Sequence, residues 1–165
     1  RRLLLLPLLL AILLPACGGM RVHTDWDHSA DFADYRTFSW MAPTVGPHAN
    51  QIIENRIRRA VVDEMIAKGF KEVAEGPDIR VTYMATAEEK VDVSSTTYGY
   101  WRGSALGEVD VYRYTQGTLI LDVVDAGSNQ LVWRGTGTGV VGEDVGDPEQ
   151  IQKAVQGILS EFPPR

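Results

Sequence analysis

The sequence predicts an α+β fold, an antiparallel β-sheet with two α-helices packed on one face. Three observations carry that expectation. In PDIRVTYMAT, residues 77–86, Ile79, Val81, Tyr83 and Ala85 alternate with Arg80, Thr82 and Met84, the period of a strand with one buried face. A second alternation, Leu119, Leu121 and Val123 against Ile120, Asp122 and Val124, runs into the turn DAGSN. It returns through Leu131 and Trp133 as a hairpin. Two further stretches repeat apolar residues at three- and four-residue spacing, the mark of helices resting on a core.

Taken in order, RVHTDWD at 21–27 reads as the first strand. YRTFSWM at 35–41 reads as the second, with Phe38 and Trp40 alternating against Thr37 and Ser39. APTVGPHA breaks the pattern with two prolines and a glycine. A helix then starts at Asn50 and carries Ile53, Ile57, Val61 and Met65 on one stripe, with Gly69 able to end it at φ > 0. The segment 94–117, SSTTYGYWRGSALGEVDVYRYTQG, reads as a long Gly- and Ser-rich loop between strands. The last helix is marked by Asp147 as cap, Pro148 at the first position and Gln150 completing a capping box. Ile151, Ala154, Val155, Ile158 and Phe162 form its stripe, and Pro163-Pro164 ends it. Arg134 is expected to pair across the hairpin with Asp122.

The amino-terminal end has a different character. Arg1 and Arg2 precede an apolar run from Leu3 to Leu14, the charged and hydrophobic regions of a signal peptide. The run is short of the roughly 20 apolar residues that a membrane-crossing helix requires. Leu14-Pro15-Ala16-Cys17 resembles the bacterial lipobox, and Cys17 is the sole cysteine. That resemblance implies cleavage after Ala16 and a diacylglyceryl thioether on Cys17, the membrane partner of this protein. A disulfide would have to be intermolecular, and a catalytic thiol here would lack an orienting base. Gly18, rather than Asp, follows the cysteine, which implies export to the outer membrane and its periplasmic face. The expected organisation is a signal peptide at 1–16, a lipidated cysteine and short tether at 17–20, and one domain at 21–165.

Removing residues 1–16 from the 165-residue chain leaves 149, ample for one core without crosslinks. Lys plus Arg falls from 16 to 14 against 22 acidic residues, so the net charge goes from −6 to −8. Such a domain is a poor partner for nucleic acid, whose phosphates require a basic patch.

Several stretches together resemble the domain-of-unknown-function 4136 family of bacterial lipoproteins: DWDHSADFADYRTFSW, RIRRAVVDEMIAKGF with PDIRVTY, GTLILDVVDAGSNQLVWRGTG and the closing ILSEFPP. The resemblance implies the α+β fold, an envelope location and no catalytic residues to carry over.

Candidate sites are few. His23, Asp25 and Asp27 share one face of a strand, and imidazole with carboxylates is metal-ligating chemistry, but the bland reading is a solvated face. Tyr98, Tyr100, Trp101 and Arg102 sit in the Gly-rich segment and make a candidate contact loop, since aromatic rings supply amphipathic contact area. Tyr112 and Tyr114 fit either that loop or the inward face of a strand. No nucleophile elbow, phosphate loop or cofactor motif is present, and the three histidines all precede residue 50. The expectation is therefore a non-enzymatic, cofactor-free envelope protein that binds a partner near the membrane. The alternative is a module for a lipid, glycan or other small hydrophobic ligand.

Overall fold

A computed structural model describes residues 20–41, 50–101, 104–142 and 144–164, with side chains outside 94–110. The chain runs β1 (Arg21–Trp26), β2 (Thr37–Trp40), α1 (Gln51–Ala67), β3 (Lys71–Glu72), β4 (Ile79–Trp101), β5 (Ser104–Asp125), β6 (Leu131–Val141) and α2 (Pro148–Leu159). The strands form one sheet in the order β1-β6-β5-β4-β2-β3. The fold is α+β, as expected, but the sheet is mixed rather than antiparallel. β2 lies parallel to both β3 and β4. Parallel neighbours need a long crossover, and α1 supplies it between β2 and the strands that follow.

Both helices begin as the sequence specifies. Asn50 caps α1 by accepting from the Ile52 amide at 2.9 Å, and Asp147 caps α2 by accepting from the Gln150 amide at 2.8 Å. Gly69 closes α1 with φ of 92° while its amide donates to Ile66. α2 stops at Leu159, so Phe162 lies beyond the helix, yet it is fully buried.

Both helices pack on one face. α1 contributes Ile57, Ala60, Val61 and Met65, and α2 contributes Val155, Ile158 and Leu159, to a core with Phe38, Ile79, Val81, Leu121, Val123 and Trp133. Phe162 binds the far end of this core together. Its ring meets Trp133 edge-on at 5.1 Å, Phe70 at 5.6 Å and Phe32 at 6.0 Å. On β6 the inward positions after Trp133 are glycines. A Cβ on Gly135 would collide with the Trp133 ring and with Ile158 Cγ2, and one on Gly137 would lie 2.9 Å from Ile158 Cδ1. The absent side chains let α2 come down onto the sheet.

Polar clamps fix the sheet's lower end. Asp78 Oδ2 accepts from the Thr37 hydroxyl at 2.7 Å and from the amides of Thr37 and Arg36 at 2.8 and 2.9 Å, docking β2 beside β4. Asp125 holds the β5–β6 turn by accepting from Ser128 N and Oγ, and its other oxygen accepts from Tyr35 Oη at 3.1 Å. The expected cross-strand pair is present: Arg134 Nε and Nη2 each donate to Asp122 at 2.6 Å. At an exposed guanidinium such a pair contributes at most about 1 kcal/mol.

Two outcomes follow from this packing. Gly135→Ala forces Trp133 and Ile158 aside, and overpacking of this kind costs about 1–3 kcal/mol, read as a lowered urea midpoint at unchanged slope. The second concerns acid. The Thr37 hydroxyl, followed by the two amides, holds the Asp78 carboxyl below the ordinary 3.8. Its clamp therefore stabilises the fold above that unfolded value and is lost as pH falls through the lower folded one. The wild-type urea midpoint should drop as pH falls below about 4. Asp78→Asn should start lower at pH 7 and drop less.

Candidate functional site

Two features of the described residues stand out as places for a ligand or partner. The first is a β-ribbon. β2 pairs with β4 only at Ile79–Val81, and β6 leaves β5 at Thr115↔Val141. Beyond these points β4 and β5 pair, among the described residues, with each other alone, in register from Glu89↔Thr115 to Trp101↔Ser104, with an irregularity at Tyr98/Tyr100. At roughly 3.3 Å per residue, residues 89–101 extend about 40 Å. The segment expected as a loop is thus mostly strand. Burial does not mark it, because what holds it extended is pairing along one edge with its own cross-strand partner.

The ribbon's helix-side face carries Val91, Val93 and Val111, which are 58%, 59% and 57% exposed. Val93 lies opposite Val111. The other face carries Lys90, Asp92, Tyr112 and Tyr114. Tyr112 is 68% exposed and stacks on Tyr114 with centroids 6.2 Å apart. Those two tyrosines are in a strand, but they face away from the core. The candidate contact residues Tyr98, Tyr100 and Trp101 belong to the backbone of β4, while their side chains, and all of Arg102, lie outside the described residues.

The second feature is a groove where the ribbon leaves the body. Its volume is about 330 Å³, at the small end of ligand sites. The floor is Ala85 and Ala87 of β4, Gly117 and Leu119 of β5, and Gly137 and Gly139 of β6; the walls are Ile53 and Ile57 of α1 and Ile151 and Ala154 of α2. The groove exists because every floor position but Leu119 carries little or no side chain, so sheet and helices part where nothing fills the gap. One end is closed by the loop before α2. There Gly146, at φ of 98°, sits so near Ile53 that a Cβ would come within 2.7 Å of it, and Arg56 Nη1 donates to the Gly146 carbonyl at 2.8 Å. The rim's charged groups are engaged: Asp147 caps α2, and Lys153 pairs with Glu149 at 2.8 Å. A sheet–helix cleft is the place the sequence reading allows for a small ligand, but that reading singles out none of the groove's residues for it; the spaced glycines GTGTG of β6 were the available signal.

The candidate metal residues do not converge. His23 and Asp25 share the outer face of β1, opposite Thr136 and Arg134, whereas Asp27 lies past the strand and accepts from Ser29 N and Oγ at 2.8 and 2.6 Å. Those two Ser29 hydrogen bonds hold the Asp27 carboxyl below its ordinary value. Among the described residues no group of three His, Cys, Asp or Glu side chains is placed to hold a metal ion. The candidate lipidation residue Cys17 lies outside the described residues. Among those described, no helix is long and apolar enough to cross a membrane.

The family model for a domain of unknown function, DUF4136, matches residues 22–164. The chain belongs to that family. No curated protein matches the sequence. Among solved structures it is similar to a PDZ domain protein from Parabacteroides distasonis, with a TM-score of 0.61 at 14% identity over 87% of this chain. The chain spans 35% of that protein's length, and at this identity the likeness is one of fold. It is also similar to the PelC dodecamer from Paraburkholderia phytofirmans in two crystal forms. One has a TM-score of 0.47 at 12% identity over 86% of this chain and 95% of the other; the second has 0.45 at 13% over 86% and 96%.

Proposed function

We propose that this DUF4136 protein is a lipid-anchored, non-enzymatic component of the bacterial envelope, on the periplasmic face of the outer membrane, that binds an envelope protein through its β-ribbon. The observation that carries this reading is the ribbon: two strands whose outer edges find no partner among the described residues, with three exposed valines on one face. An isolated two-stranded hairpin is marginal in water, and bare edges are templates for a further strand. A partner strand would satisfy those backbone groups while covering the valines, the mode known as β-augmentation. The anchor supports a location at the membrane, because β1 begins at Arg21, only four residues after Cys17. The short tether keeps the domain against the bilayer, within reach of other envelope proteins.

A second reading, a module for a lipid, glycan or other small hydrophobic ligand, is favoured by the groove alone.

Cross-linking in intact envelopes followed by pull-down tests the first reading. The wild-type chain should capture a discrete envelope protein. Recovery should fall at least fivefold when Val91, Val93 and Val111 are replaced by Ser, or when Tyr98, Tyr100 and Trp101 are replaced by Ala, with the thermal midpoint of the body retained. Equal recovery from both variants refutes a role for the ribbon.

A further inference from the structure

The groove and the amino-terminal tether meet in one residue. Met20, immediately before β1, lines the groove. Its sulfur lies 2.9 Å from where a Cβ on Gly137 would stand, and its Cα lies 3.5 Å from the corresponding point on Gly139. Its methyl group reaches Gly157 of α2 in the same way, at 2.7 Å. Met20 thus spans from sheet to helix inside the gap. Cys17 is three residues upstream. Three residues reach at most about 11 Å even when extended, less than the length of a fatty chain attached there.

We propose that one fatty acyl chain carried by Cys17 folds back into this groove, while its companion chain remains free for the bilayer. The inference rests on the reading of Cys17 as acylated. The chemistry of the lining selects hydrocarbon. Isoleucine, leucine, alanine and glycine supply most of the walls and floor, Thr86, Thr118 and Gln150 are the uncharged polar residues of the lining, and the charged groups at the rim are already paired. Trp40 Nε1, Thr82 Oγ1 and Trp133 Nε1, each buried without a hydrogen-bond partner among the described residues, belong to residues that do not line the groove. A glycan or peptide would lose hydration for its polar groups there and find little in return. A methylene chain loses nothing. Attachment favours the protein's own chain over a diffusing lipid, since a tether this short gives an effective concentration in the millimolar range. In the bilayer the exchange is hydrocarbon for hydrocarbon, so the seat matters most when the protein is away from a membrane and the chain would otherwise face water.

The test uses the full chain made in cells fed a fatty acid with a terminal diazirine, extracted in mild detergent and irradiated. Peptide mapping should find the Cys17 acyl chain joined to groove residues such as Ala85, Ala87 or Ile151. Ala85→Trp, which fills the floor at an exposed position, should reduce that product at least fivefold, and Gly139→Leu should do the same from the opposite strand. A labelled Cys17 whose products lie only in detergent, or whose groove products survive both variants, overturns the inference and leaves the anchor standing. Groove products joined to a lipid not attached to Cys17 overturn the choice of occupant. A Cys17 peptide without any acyl label overturns the anchor and the inference together.

Discussion

The structure depends on a row of missing side chains. Along the inward face of β6, Trp133 is followed by Gly135, Gly137 and Gly139, and α2 rests on that bare strip. A helix normally stands about 10 Å above a sheet because side chains of both intervene. Here Ile158 presses almost onto the β6 backbone, and the Trp133 ring lies over the neighbouring glycine. That contact seats α2 and gives Phe162, just past the helix, its place against Trp133 and Phe70. Toward the other end the same strip has no helix side chain to meet it. The gap left there is the groove.

A small-residue floor thus does two opposite things within one strand. Where Ile158 covers it, close packing excludes water and stabilises the body. Where only Met20 covers it, an apolar surface is left partly open. The ribbon beyond raises the same problem in a different form, because its strands pair with each other along one edge while its valine face stays exposed. In both places apolar surface lies uncovered, and at the groove it lies beside Met20, immediately before β1. Exposed apolar surface of this kind is the ordinary mark of an interaction site.

Three carboxylates among the described residues serve the architecture. Asp78 and Asp125 spend their oxygens on amides and hydroxyls of β2 and the β5–β6 turn, and Asp27 spends one on Ser29. Burial, aided by the Asp125 contact, pushes the Tyr35 phenol up to about 12, which keeps it a proton donor across the whole range in which the fold is used. Each shifted carboxyl among these has its cause in a turn or strand-end hydrogen bond.

The sequence by itself determined the elements whose signals are local. Caps at Asn50 and Asp147, the glycine at 69, the alternation of 79–85 and the turn at 125–129 each act through neighbours a few residues away, so their outcomes can be read without the fold. It also placed Asp122 across from Arg134, because hairpin register follows from the turn. Only the tertiary structure decided the rest. The parallel seating of β2 depends on where α1 returns the chain; the span 94–117 became strand through pairing between β4 and β5 rather than burial; and His23 and Asp25 were parted from Asp27 because β1 ends at Trp26. The groove is the clearest case. Glycines at 117, 137 and 139 mean little along the chain, and they become a floor only because β5 and β6 set them side by side while Ile53 and Ile151 hold the two helices above.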